Sequence, residues 1–292
     1  MAGSPGASGL LVIGGDPVEV QVLPAIGARL HRIRAFGRDL LSTPASIDTH
    51  AADPYFWGGY VMAPWCNRIA PQAVTVGKRT VRPAPSFPDG TAIHGQVAAV
   101  PWTRRADGVL AVRGGGDGWP WPYEVTQEVV VTGASVRMTL RLTNLADDEM
   151  PAGIGLHPWF IGPLELAVAS ASVVPNVDPA AGPEPATGPR DLRAPQLVPL
   201  GLDDTWLDVG DPAVELRWPR LGLEATVRLG SDAPPCVAVA SPEGAGAVAV
   251  EPQTHAPWGL ARYLAGDRRG LRALAPGGTL ELSITLDIRR TS

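Results

Sequence analysis

Between its glycines and prolines the chain alternates. In the segment 135–143, SVRMTLRLT, one face collects Val136, Met138, Leu140 and Leu142 while the other collects Arg137, Thr139 and Arg141. The segment before it, 124–131 (EVTQEVVV), is equally short and β-branched, and the stretch 132–135, TGAS, reads as the loop of a hairpin. A period of two means one face buried and one wet, the pattern of an antiparallel sheet. Further runs of strand character fall at 18–23, 28–35, 74–76, 98–104, 109–113, 164–169, 214–218, 224–229, 236–240, 247–250 and 280–288. Gly (34) and Pro (31) are spread throughout and leave no room for a long helical period. Many short strands with turn residues between them predict an all-β sandwich or barrel with little helix. The stretch 175–199 holds seven prolines. Strand patterning of the same composition continues on both sides of it, so it reads as a surface excursion within one domain spanning 1–292.

Composition narrows the partners. Hydrophobic residues make up 45% of the chain, enough for a large core. The net charge is −5 with no basic block, which argues against nucleic acid and against an anionic membrane surface. No segment approaches the roughly 18 apolar residues of a membrane helix, and the apolar stretch 10–13 near the N-terminus is too short for a signal-peptide core. Two thiols, Cys66 and Cys236, in a chain that reads as leaderless predict a reduced, cytoplasmic protein, with a disulfide between them left open.

Chemistry enters at two proline-punctuated sites. VAVEP ends an apolar run in a carboxylate, Glu251, and GIGLHP ends another in an imidazole, His157. A proline cannot donate to a ladder, so each strand is expected to stop there and turn its polar residue toward a cleft. A carboxylate that takes a proton from a hydroxyl and an imidazolium that gives one to a ring oxygen can open and close a cyclic hemiacetal. His94 precedes a glycine after the turn-rich PSFPDG. Arg68 lies near Trp57, Tyr60 and Trp65, and its planar fork suits vicinal hydroxyls. In GLDDTW a carboxylate ahead of a tryptophan could accept from two hydroxyls, with an ordinary Asx turn as the plain alternative.

Taken in order, NRI at 67–69, HG at 94–95, LHPWF at 156–160, LDDTW at 202–206 and VEP at 250–252 resemble the aldose 1-epimerase (galactose mutarotase) family. The resemblance implies a large antiparallel β-sandwich, no metal and no organic cofactor, and interconversion of the α and β anomers of a free monosaccharide. It implies Glu251 as general base, His157 as general acid and His94 as a second histidine beside the ring oxygen. It further implies Arg68, Asn67 and Asp203 as hydroxyl-binding residues, with Asp204 the rival of Asp203. Partners beyond the sugar are not expected, and the assembly is expected to be a monomer or homodimer. Trp159 stands where relatives often have Tyr, and Trp119 and Trp121 are candidates for the cleft wall or the core.

Other readings are a hexose-6-phosphate 1-epimerase of the same fold, a glycoside hydrolase built on two carboxylates, and a non-catalytic carbohydrate-binding or sensor module. Arg104, Arg105 and Arg113 are available to a phosphate but no motif gathers them, which favours a neutral sugar. Neither a zinc motif nor paired cysteines point to a metal enzyme. GGGDG at 114–118 lacks the Lys-Ser/Thr of a phosphate loop and reads as a hairpin loop.

Overall fold

A computed structural model describes residues 9–291; residues 1–8, part of the N-terminal stretch weighed above as a leader, and residue 292 lie outside the described residues. Among the described residues two large antiparallel sheets carry the fold, one of eleven strands and one of nine. The hairpin read at 124–143 is Trp119–Thr132 against Ser135–Asn144, closed by Gly133 and Ala134. So tight a connection needs a left-handed backbone, which Gly133 supplies at φ 58°. Val18–Leu23, Val74–Val76, Val214–Trp218 and Cys236–Ala240 have the bounds the alternation predicts. The run at 98–104 does not: the strand is Thr103–Ala106, and Pro101 lies in the loop before it, where no ladder needs its missing N–H. Among the described residues α-helix is confined to Thr49–Ala52 and Gly259–Leu264, with short 3-10 turns at Gly188–Arg190 and Pro219–Leu221.

The inner faces of the two sheets meet in one core. Leu156, Pro158, Phe160, Val250 and Pro252 of the larger sheet face Met138, Val227, Ile284 and Leu286 of the smaller. Each such side chain contributes about 1.5–3 kcal/mol by leaving water. The proline-rich stretch is tied down rather than loose. Glu184–Pro185 pairs at the edge of the larger sheet, Gln196–Leu197 at the edge of the smaller, and Leu192 is fully buried. Trp119 and Trp121 belong to the core, with Trp65 packed 5.0 Å from Trp119, so neither lines the cleft. Cys66 and Cys236 are both free and buried.

Two prolines overturn a sequence expectation. Strand Gly155–Ile161 runs on through Pro158, and strand Ala247–Gln253 runs on through Pro252, so neither ends at its functional residue. The two strands are neighbours, and Gly155 pairs with Gln253 while Trp159 pairs with Ala249. One offset holds on both sides, so His157 stands opposite Glu251. The Trp159 N–H points the other way, to the Gly58 carbonyl at 2.8 Å. By alternation the N–H positions of residues 158 and 252 both face the shared seam. The prolines therefore delete two rungs around the His157–Glu251 pair and place their rings in the core, while pairing with the outer neighbours keeps the strands in the sheet.

Candidate active site

Alternation that sends Pro158 and Pro252 inward sends His157 and Glu251 to the outer face of the eleven-stranded sheet. Strand pairing sets two rows of side chains there. One runs Tyr60, His157, Glu251, Ala238, Thr205; the next runs Trp159, Ala249, Ala240, Asp203. Three alanines in these rows leave open space between larger neighbours. The result is a cavity of about 220 Å³, walled by loop residues that include Tyr55, Phe87 and Asn176. Glu251, His157, His94, Arg68, Asn67 and Asp203 all line it. Six residues picked from five separated motifs thus meet in one place.

His157 and Glu251 touch: Nε2 lies 3.1 Å from Oε1, and both side chains are buried. Burial pushes the Glu251 carboxyl up to about 8, helped by the nearby Asp203 carboxylate and opposed by Arg68. Burial, with His94 adding to it, holds the His157 imidazole well below its ordinary value. Both shifts favour a carboxylic acid facing a neutral imidazole over an ion pair. The contact holds one proton between two groups and titrates as a unit.

His94 meets His157 edge-on, ring centres 5.0 Å apart. It sits at φ 57° beside Asn67 at φ 55°, both in the left-handed region that non-glycine residues rarely adopt. The two are locked together: the His94 N–H donates to the Asn67 carbonyl at 3.1 Å, and the Asn67 N–H donates to His94 Nδ1 at 3.2 Å. Gly95 completes the turn, since a Cβ there would lie 1.9 Å from the Ala63 carbonyl oxygen. With Nδ1 accepting, the proton of neutral His94 is on Nε2. Burial, with Arg68 second, lowers its pKa to about 3, so it is a fixed neutral donor.

Arg68 is clamped rather than free. Nε donates to Asp89 at 2.8 Å, Nη2 lies 3.7 Å from Asp203, and the guanidinium lies 5.4 Å from the Phe87 ring centre. Phe87 is the aromatic surface beneath it, and Trp65, near Arg68 in sequence, is buried in the core. Asn67 spends its side-chain oxygen on the Arg68 N–H at 2.8 Å, which leaves its amide group to act as donor. Asp203 faces the cavity and accepts from Asn176 Nδ2 at 2.8 Å. Asp204, one residue on, points to the opposite face and pairs with Arg190 at 3.0 Å, so of the two aspartates Asp203 is the one that lines the cavity. Sequence reasoning missed Asn176, Asp89, Tyr55 and Phe87. Only Asp89 and Phe87 left a signal, as part of the turn-rich segment before His94.

The remaining arginines weighed for phosphate are elsewhere. Arg104 pairs with Asp107, while Arg105 and Arg113 pair with Glu124, on an exposed hairpin. A second cavity, about 230 Å³, opens by His255 at the far end of the Glu251 strand. His255 is already committed there, accepting from the Cys66 N–H at 2.9 Å and donating to the Ala256 carbonyl at 2.7 Å. In the main cavity, ligand atoms of His94, His157 and Glu251 lie within 4.8 Å of one another. Two imidazoles and a carboxylate suit a divalent transition metal; the 3.1 Å contact between two of them equally suits direct proton transfer.

Residues 13–198 match the family model described as aldose 1-epimerase. Among solved structures, a provisionally named aldose 1-epimerase from Escherichia coli K12 superposes with a TM-score of 0.82 at 18% identity, over 97% of this chain and 100% of that one. A galactose mutarotase-like protein from Clostridium acetobutylicum gives 0.80 at 15% identity, over 96% and 95%. Galactose 1-epimerase from Lactobacillus acidophilus NCFM gives 0.75 at 14% identity, over 96% and 94%. No curated protein matches. At these identities the structural likeness is one of fold.

Proposed function

The chain belongs to the aldose 1-epimerase family, and on that footing we propose that it is an isomerase interconverting the α and β anomers of a free, uncharged aldose. The observation that carries this reading is the buried 3.1 Å contact between His157 and Glu251 at the floor of a sugar-sized cavity. A proton passed from Glu251 to His157 across that contact leaves a carboxylate beside an imidazolium. Glu251 then takes the proton of the anomeric hydroxyl as His157 protonates the ring oxygen. The C1–O5 bond breaks and an open-chain aldehyde forms, with its carbonyl near the fixed Nε2–H of His94. Rotation about C1–C2 presents the other face, and the reverse transfers close the ring as the opposite anomer. The pair ends with the proton count it started with, so neither group has to be reset by solvent.

Hydroxyl recognition falls to Arg68, Asn67 and Asp203, with Asn176 holding the Asp203 carboxylate in place. An uncharged sugar is favoured because the one guanidinium among the described cavity-lining residues is already shared between Asp89 and Asp203. Two aspartates and a glutamate around it leave no surplus positive charge for a phosphate.

Polarimetry on freshly dissolved α-D-glucose and α-D-galactose tests the reading, with and without a chelator. Faster decay to the equilibrium rotation, unaffected by chelation, is expected. Binding without acceleration would leave a carbohydrate-binding module. Acceleration lost to chelator and restored by a divalent ion would make His94, His157 and Glu251 a metal site instead.

A further inference from the structure

Arg29 is wholly buried, yet among the described residues no carboxylate forms an ion pair with it. Its Nη1 donates to the Trp57 carbonyl at 2.8 Å, and its Nη2 to the carbonyls of Pro54 and, at 3.3 Å, Ala98. Burial lowers its pKa to about 10, so it remains charged at neutral pH. Burying a guanidinium against neutral carbonyls alone is unfavourable, and a hydrophobic residue would fill the space at less cost. Its position suggests why the charge is there. Leu30 pairs with Gly59, so Arg29 stands opposite Tyr60 on the next strand, as Tyr60 stands opposite His157. Adjacent strands thus bring Arg29, Tyr60, His157 and Glu251 into one row on one face of the sheet.

Contacts along that row are continuous. The guanidinium carbon lies 4.8 Å from the centre of the Tyr60 ring. Tyr60 in turn stacks on His157, centres 4.6 Å apart and planes 20° from parallel. The Tyr60 hydroxyl donates to the Tyr55 carbonyl at 3.2 Å, in the same loop whose Pro54 and Trp57 carbonyls Arg29 holds. We propose that Arg29 is a positioning residue for His157: it clamps Tyr60 and the 54–57 wall so that the imidazole is held flat against the ring, with a permanent cation one ring away.

The charged and titratable groups around His157 are consistent with this. Glu251 contacts it from one neighbouring strand, Tyr60 stacks on it from the other, and His94 meets it from the loop above. Arg68 and Asp203 lie further along the cavity. Behind Tyr60, Arg29 has Asp53 and His50 as its own electrostatic neighbours. Arg29 and His94 both oppose protonation of His157, but only Arg29 carries a permanent charge.

The inference rests on His157 acting as the acid, and its test separates the two ideas. Arg29→Met keeps an unbranched apolar stem and removes the charge; Arg29→Lys keeps the charge and removes the fork. For each, the pH profile of kcat/KM and the NMR titration of the His157 ring are measured. In Arg29→Met the acid limb and the ring titration should both move up by about one pH unit, since a cation one ring away has been removed. Arg29→Lys should return both toward wild type even if it is less stable. A rate or stability loss with both titrations unmoved would make Arg29 a packing residue and overturn the proposal. If Arg29→Met does not fold, Tyr60→Leu breaks the stack with Arg29 in place. It should cut kcat at least tenfold with KM little changed, and wild-type kcat there would equally sink the idea. Should the wild-type protein be inert toward aldoses, the isomerase reading fails, while the ring titration still decides the role of Arg29.

Discussion

A carboxyl group sealed from water keeps its proton to higher pH than one in solvent, and an imidazole sealed beside it gives its proton up at lower pH. Glu251 and His157 are such a pair, with the carboxyl at about 8 and the imidazole well below its usual range. Their order is therefore inverted from the free amino acids. The working form carries one proton between the two groups. That proton is lost above about pH 8, and a second is gained only well below 6.5. The kcat/KM profile should be a bell whose alkaline limb, near pH 8, is the loss of the proton that the pair shares. Glu251→Gln should lower the rate about 10²–10⁴-fold, the usual worth of general acid–base assistance. Stability makes an independent check. A folded-state pKa raised from 4.5 to about 8 means that the fold loses stability as pH climbs through that interval. Glu251→Gln removes the titration, so above pH 8 the variant should be more stable than wild type by on the order of 2 kcal/mol in urea unfolding. Equal alkaline stability would place the carboxyl in a wetter setting than the structure gives it.

At the scale of the strand, two rules govern what the sequence disclosed. Period two made the 124–143 hairpin and the strands around 18–23, 214–218 and 236–240 legible, because each has one apolar and one polar face. The same rule separates Asp203 from Asp204, but only once the strand is known to face the cavity on one side and Arg190 on the other. Strand Ala247–Gln253 is buried on both faces, so its sequence carries no alternation and its proline looked like an end. What keeps it a strand is a missing rung, which depends on the neighbour's proline and is invisible in either segment alone. Asn176 was illegible for a similar reason: its value lies in reaching Asp203 from the loop just after the neighbouring strand, a pairing that neither segment shows alone. The alanines were legible only as apolar filler, yet they shape the cavity. Ala240 lies in the row between Ala249 and Asp203 and faces the cavity. Ala240→Leu should raise KM at least tenfold while shifting the melting temperature little, since the added atoms enter open space rather than the inter-sheet core. An unchanged KM would mean that the sugar does not lie over that row.

The whole molecule commits its histidines to the neutral state. Burial is the main cause at each of four sites: it lowers His50 and His94 to about 3 and His255 to about 4, and holds His157 well below its usual value. His50 is bonded to His31 at 2.9 Å and His255 bridges Cys66 and Ala256, so these two serve the scaffold while the other two serve the cavity. The unfolded chain takes up a proton at each site as pH falls through about 6.5, whereas the folded chain does not at His50, His94 and His255 until pH 4 or lower, and at His157 only well below the ordinary value. Between those limits the unfolded state binds more protons, so unfolding becomes easier with each step toward acid. Glu251 works against this from about 8 down to 4.5, because there the folded state holds the extra proton. Asp204, raised by burial, acts in the same sense; His31, lowered by burial, joins the other four imidazoles, and two carboxyls against five imidazoles leave acid destabilisation as the net direction. Because the buried sites lie in both the scaffold and the cavity, they should be lost together. Thermal unfolding should show its highest midpoint near neutral pH and a steep fall between pH 6 and 4. A midpoint that stays level down to pH 4.5 would show that these imidazoles reach solvent in the folded protein, and the fixed donor assigned to His94 would go with them.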